Sequence, residues 1–317
     1  MSKIKIKSGD MAENTSKIII RTKSVFQSES YIPGSNQINK FVGREHELRL
    51  ITAAWISGDY SQPMSPLLIG EPGVGKNRLI YELAQKTGRQ LYILQGHEDI
   101  TSEDLACTVR FSDRINSVMD YILSPLVTAM NKGGICFIDE IGKIRPRALA
   151  LLVSVLDERR YIDSTLLGER MHAHPGFRFI AATNTADVNL LPEFITSRMR
   201  PRITIGFPPK EEIDDIIRDQ CKGIRKEVDN LIDLFWQLWT ENGGSIGAIA
   251  PRDAIYLFGW ASRLSAFEST GGLKALKEAG THNPFELRND NPYTGIKPDH
   301  LRQAFKKLFT ERNLSKI

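Results

Sequence analysis

Five short apolar runs alternate with helical patterns between residues 66 and 205, and this alternation most constrains what the chain can fold into. The runs are Pro66-Leu67-Leu68-Ile69, Leu91-Tyr92-Ile93-Leu94, Ile135-Cys136-Phe137-Ile138, Phe177-Arg178-Phe179-Ile180-Ala181-Ala182 and Ile203-Thr204-Ile205. A strand that is apolar on both faces is buried on both faces. Strands of that kind with helices between them predict a parallel sheet covered on each side, an α/β fold. After Phe207-Pro208-Pro209 the pattern changes. Ile213, Ile216 and Ile217, then Leu231, Leu234, Phe235, Leu238 and Trp239, repeat only at helical spacing. The chain is therefore expected to divide into a tail over 1–37, an α/β domain over 38–208 and an all-helical domain over 209–317. Trp236, Trp239 and Trp260 fall on apolar helix faces and are expected in the core of the last.

Composition narrows the function classes. No apolar run approaches the roughly 18 residues that would span a bilayer, and the start carries no secretory signal pattern. Three cysteines without a CxxC pair argue against a disulfide framework or a zinc site and fit a reducing cytoplasm. The net charge of +4 sits wholly in the first forty residues, with seven Lys/Arg against three Asp/Glu; the other 277 residues carry 35 of each sign. Residues 1–36 lack any sustained period and read as largely unstructured. Their charge is a weak pointer to nucleic acid or another acidic surface.

Chemistry enters at Gly70-Glu71-Pro72-Gly73-Val74-Gly75-Lys76, which has the G-x-x-x-x-G-K spacing, follows an apolar run and opens a helical pattern through Leu79, Ile80 and Leu83. Glycines let backbone N–H groups curl around phosphate oxygens, the helix N-terminus adds positive potential, and the lysine reaches the terminal phosphates. Nucleotide-binding residues are thus expected from Gly70 through Lys76, Asn77 and Arg78. Asn77 stands where a Ser or Thr hydroxyl ordinarily holds Mg²⁺. Its amide oxygen is a hard donor on a longer arm, so it makes normal nucleotide binding and slow hydrolysis the expectation. The third run ends in Asp139-Glu140, two carboxylates at the C-terminal edge of a buried strand, where parallel sheets bind ligands. There Asp139 can hold a metal's water shell and Glu140 can polarise an attacking water.

Taken in order, Phe41-Val42-Gly43-Arg44-Glu45, the phosphate loop, Ser124-Pro125-Leu126, Gly133-Gly134, Asp139-Glu140-Ile141, Ala148-Leu149-Ala150-Leu151-Leu152 and Pro251-Arg252-Asp253-Ala254 resemble an AAA+ ATPase, most closely the MoxR-like and dynein-related branch. The resemblance covers about residues 38–310. It implies ATP and Mg²⁺ as ligands, a helical lid over the nucleotide, and a homo-oligomeric ring, commonly a hexamer, that acts on a protein client or co-encoded effector without a membrane. Carried over residue by residue, Asn184 in Ala181-Ala182-Thr183-Asn184 would orient the lytic water. Arg198 would reach a neighbouring subunit's γ-phosphate, with Arg200 and Arg202 as alternative donors. Arg252 would touch phosphate from the lid. An insertion over 101–128 and a hairpin over 161–177, which carries His172 and His174, would face the client. Two other readings stay open: a nucleic-acid-directed motor of the same architecture, favoured by the basic tail, and a slow nucleotide switch, favoured by Asn77.

Overall fold

The computed structural model describes residues 24–31, 41–58, 61–112, 119–221, 227–269 and 295–314. All five apolar runs become strands of one parallel sheet: β2 (Leu67–Gly70), β3 (Leu91–Gln95), β6 (Ile135–Asp139), β9 (Arg178–Thr183) and β10 (Arg202–Ile205), in the order β10-β2-β9-β6-β3. Alternate side chains serve two cores. Leu68, Phe137, Ile180 and Ala182 pack with Ile51 and Trp55 of α1 (Glu45–Ala54) and its C-terminus, and with Leu79, Ile80 and Leu83 of α2 (Lys76–Thr87). Leu67, Cys136, Ile138 and Ala181 pack with Leu126, Val127 and Met130 of α4 (Pro125–Lys132) on the other face. Each leucine, isoleucine, phenylalanine or methionine among them contributes about 1.5–3 kcal/mol on full burial.

Local chemistry sets the helix ends. Gly88, in the left-handed region at φ 62°, closes α2. The Ser124 hydroxyl accepts from Val127 N at the start of α4, and Pro125 supplies a first-turn φ suited to the helix. Between β3 and β6 the crossover is elaborated as the sequence suggests. Helix α3 (Ser102–Ala106) opens with Thr101 and Asp104 capping each other, and leads into the antiparallel pair β4 (Cys107–Phe111) and β5 (Met119–Leu123). A further hairpin joins β7 (Tyr161–Ser164) to β8 (Glu169–His172), with Gly168 at φ 68° in its turn. Short helices α5 (Pro146–Leu149), α6 (Val153–Leu156) and α7 (Glu193–Thr196) fill the remaining connections.

One expectation is overturned. Residues 24–31, read from sequence as unstructured, are ordered by contacts made far along the chain. Strand β1 (Ser24–Phe26) lies parallel to β5, with Ser24 opposite Asp120. Ser28 N donates to Thr128 Oγ1 at 3.0 Å and Ser28 Oγ to Leu123 O at 2.7 Å, and Tyr31 N reaches Leu91 O at 2.7 Å. No local periodicity could show this, because the partner strand begins about a hundred residues later. The other tail residues, 1–23 and 32–40, lie outside the described set.

After residue 205 the described elements are all helical: α8 (Lys210–Gln220), α9 (Val228–Glu241), α10 (Pro251–Ser269) and α11 (Pro298–Leu314). Ile213, Ile217, Phe235, Trp239, Leu257, Phe258 and Phe305 form their own core, and Trp236 and Trp260 pack there too, as the apolar spacing suggests. Both buried indoles find acceptors, Trp236 Nε1 at Asp214 Oδ1 (2.6 Å) and Trp239 Nε1 at Ser245 O (3.0 Å), which removes the cost of burying an unpaired N–H. Among the described residues no helix is long and apolar enough to cross a membrane.

Candidate functional site

The C-terminal ends of β2, β6 and β9 bring the sequence-predicted residues to one edge of the sheet. Gly70 ends β2, and a Cβ on it would collide with Ile205 O on β10, so the loop departs through a gap only glycine leaves open. Gly73 and Gly75 take φ 84° and 101°, the left-handed region that tips successive N–H groups toward a common centre. Lys76 then begins α2. The residue is buried, and its ammonium donates to Gly70 O (2.6 Å), Glu71 O (3.1 Å) and Asn184 Oδ1 (3.1 Å). Burial holds its pKa below the ordinary lysine value, against the opposing pull of Asp139 and Glu71.

Asn77 is not a bystander. Its Nδ2 donates to Asp139 Oδ2 at 2.7 Å, so the first residue after the lysine is tied directly to the end of β6. The amide places its N–H₂ on the carboxylate because the reverse would set oxygen against oxygen, and this turns the carbonyl oxygen the other way. Asp139 Oδ1 accepts from Glu140 N at 3.0 Å. A carboxylate with spare lone pairs and an adjacent amide oxygen are the hard donors that Mg²⁺ favours, and the glycine cradle with its buried ammonium suits a polyphosphate. The residues therefore fit both groups.

Glu140 sits at φ 53°, a left-handed conformation that costs a non-glycine residue roughly 1–2 kcal/mol and turns its side chain off the strand axis. Its Oε2 accepts from Lys143 Nζ (2.8 Å) and Gln95 Nε2 (2.9 Å). The Lys143 hydrogen bond, then the Lys143 charge, Gln95 and Asn184, hold its carboxyl below the usual glutamate range against a smaller opposing effect of burial. Sequence reasoning missed Gln95, Gly96 and Lys143. The signal was present in register: Gln95 lies opposite Asp139, and Gly96 accepts the close passage of Glu140 O that any Cβ would block. Arg44 Nη2 donates to Gly206 O at 2.6 Å, fastening the segment before α1 to the end of β10.

From the helical domain, Arg252 lies over the loop. A Cβ on Gly73 would meet Arg252 Cβ at 3.0 Å and Ala250 Cβ at 3.3 Å, and the Arg252 charge acts on Lys76. Arg198, Arg200 and Arg202 are elsewhere. Arg202 pairs in register with Leu67, the first residue of β2, whereas the phosphate loop leaves from Gly70, the last. The three arginines therefore belong to the opposite end of β10 and do not join the cradle of their own chain. Arg198 Nη1 donates to Phe194 O (2.7 Å) while its buried Nε has no partner, and Arg202 Nη2 donates to Thr196 O. His172 and His174 also stay apart from this edge: His172 faces Tyr161 across the hairpin, and His174 Nδ1 accepts from Gly176 N at 2.9 Å.

Comparison with known proteins gives consistent results. Residues 65–199 match the model of the AAA domain, dynein-related subfamily. Protein NorQ of Paracoccus denitrificans is 29% identical over 156 residues, 48% of this chain and 57% of its own. The denitrification regulatory protein NirQ of Stutzerimonas stutzeri is 28% identical over 179 residues, 56% of this chain and 62% of its own. An uncharacterised protein of Staphylococcus saprophyticus is 31% identical over 160 residues, 49% of this chain and 60% of its own. The chain thus spans about three fifths of the length of these relatives. The RuvB Holliday junction branch migration motor of Thermotoga maritima superposes with a TM-score of 0.52 at 18% identity, over 84% of this chain and 70% of that one, a likeness of fold.

Proposed function

We propose, from the match of residues 65–199 to the AAA domain of the dynein-related subfamily, that the chain is the ATP-hydrolysing subunit of a homo-oligomeric ring that remodels or activates a protein partner. The observation that carries the reading is the convergence at one sheet edge of buried Lys76, the Asn77–Asp139 pair, Glu140 and Asn184, with Arg252 leaning in from the helical domain. Lys76 and the loop N–H groups neutralise the β- and γ-phosphates. Asn184 and Glu140 flank the position of the attacking water, Asn184 orienting it and Glu140 accepting its proton. A magnesium ion held through Asp139 and the Asn77 oxygen would supply Lewis-acid stabilisation of phosphoryl charge.

The charge that develops at the transferred phosphoryl group calls for a guanidinium aimed at it, a role distinct from that of Arg252 on the lid. Arg198, with Arg200 and Arg202 as alternative donors, is displaced to the far end of β10. This favours action across an interface, where the arginine of one subunit completes its neighbour's site. A partner-directed role is supported by the matches to NorQ and to NirQ, whose name describes a regulator. Phosphate release from Mg²⁺-ATP by the full chain, measured across protein concentration, tests the proposal. Turnover per subunit that rises with concentration, and disappears in Glu140→Gln, is expected. Turnover per subunit independent of concentration, or no Glu140-dependent turnover even in the assembled state, contradicts it.

A further inference from the structure

A second concentration of charge lies where the strands begin. Arg89 precedes β3, Arg160 precedes β7 and Arg178 opens β9, and their guanidinium groups close on one turn. Arg178 Nη1 donates to Pro175 O (3.0 Å) and Phe177 O (2.9 Å), Arg160 Nη2 donates to Phe177 O (3.0 Å), and Arg89 Nη1 donates to Gly176 O. Three cations thus grip three successive carbonyls. Every one of those acceptors is neutral. Among the described residues no carboxylate pairs with any of the three, although the nearby Arg159 and Arg170 hold Asp157 and Asp163.

The physical consequence is uncompensated repulsion at a partly buried place. Burial depresses the Arg178 pKa, and the charges of Arg89 and Arg160 push it the same way. Arg160 is held at φ 46°, a strained conformation for a side chain-bearing residue. Strain and like charge persist where something else repays them, and an anion would. The donors are also divided in a telling way. Arg178 is committed to the fold, with Nε on Trp55 O (2.9 Å) and Nη2 on Ser57 Oγ (3.1 Å) as well. Among the described residues Arg89 donates through Nη1, to Gly133 O and Gly176 O, and Arg160 through Nη2. Each has five N–H donors, so each keeps one edge of its fork for a ligand.

We infer that this turn is a second oxyanion site, which takes a phosphate-monoester group between Arg89 and Arg160, with Arg178 as the fixed positive floor. A dianion with several equivalent oxygens meets two open forks and three charges better than a single carboxylate does. A polyanionic strand would need the charge to continue, whereas the chain beyond residue 40 is balanced at 35 charges of each sign. The site is distinct from the nucleotide edge: the six residues of β9 separate Arg178 from Asn184 by about 20 Å.

Calorimetric titration of inorganic phosphate into the full chain, presaturated with Mg²⁺ and ATPγS so that the nucleotide loop is filled, reads the site directly. One saturable phosphate per subunit is expected, weakened at least tenfold by Arg89→Gln or by Arg160→Gln and unaffected by Arg198→Ala. Both glutamine variants are expected to melt no earlier than the parent without phosphate, since each removes a repelling charge. Should either melt early, the parent still decides: its melting temperature must rise with phosphate and not with chloride of equal ionic strength. A phosphoserine peptide that displaces phosphate assigns the group to a protein partner; free phosphate binding without such competition assigns it to a small molecule. Absence of a saturable site, or equal affinity in the glutamine variants, overturns the inference. So does salt-sensitive binding of single-stranded DNA that the same variants abolish, because it would make the turn part of a track.

Discussion

The two ends of the central sheet use buried cations in opposite ways. At the C-terminal edge the Lys76 ammonium is surrounded by acceptors and carboxylates, donating to Asn184, while Asn77 donates to Asp139 and Asp139 accepts from Glu140 N, so that the array sits at one place. At the strand-start edge the arginines face carbonyls of their own chain, and Arg198 even leaves a buried Nε unpaired. The first edge is a site complete but for one charge; the second offers charge that its own chain does not use. The contrast is what the proposed ring requires, a functional unit larger than the chain. A group that is buried and unsatisfied in one subunit is most simply satisfied by another molecule.

That comparison can be broken most decisively at Lys76. Lys76→Ala removes the only ammonium among the array's residues, and ATP affinity measured by calorimetry is expected to fall at least a hundredfold; unchanged affinity would show that the C-terminal edge is not where phosphate binds. Glu140→Gln is next in size. Turnover is expected to drop by about two to three orders of magnitude, in line with loss of a general base, while nucleotide affinity stays within a few-fold.

A sharper probe is Lys143→Met. Lys143 holds the Glu140 carboxyl below its ordinary range, so Glu140 stays ionised, and competent as a base, down to lower pH than a free glutamate. Removing the lysine lets that pKa rise toward the ordinary value. The acid limb of the turnover–pH profile is expected to shift upward in pH, with the plateau at neutral pH retained. A limb that does not move would mean that Glu140 is not the group titrating.

The smallest effect concerns Asn77. The amide already bridges to Asp139 with one end and presents an oxygen with the other, so it reproduces in outline what a hydroxyl does. Asn77→Thr, which shortens the arm and fixes the donor, is expected to raise basal turnover at saturating Mg²⁺ by up to about tenfold, equivalent to about 1.4 kcal/mol, with ATP affinity within a few-fold. An unchanged or lower rate would mean that the amide is already an adequate ligand.

Much of this was legible in the sequence, and the reason is locality. A buried parallel strand is a continuous apolar run, so all five strands of the sheet could be read directly, and the glycine spacing announced the loop because positive φ values demand glycine there. What failed was nonlocal. Strand β1 has no periodicity of its own and exists only because β5 offers it an edge. Gln95 and Lys143 carry no motif; they matter because the register sets Gln95 beside Asp139 and a strained turn brings Glu140 back over Lys143. Even Asn77, singled out as a departure, could be judged only once its amide was seen on Asp139.

The account's central claim is that the array around Lys76 is completed by an arginine from a neighbouring subunit. Mixing Arg198→Ala chains with Glu140→Gln chains tests it most directly, since each variant spoils a different half of the composite site. Neither alone is expected to turn over ATP appreciably, but co-assembled mixtures contain interfaces that pair an intact Glu140 array with an intact Arg198, and turnover is expected to recover to a sizeable fraction of the parent's. Mixtures shown by sedimentation to co-assemble, yet no more active than the separate variants, would contradict it.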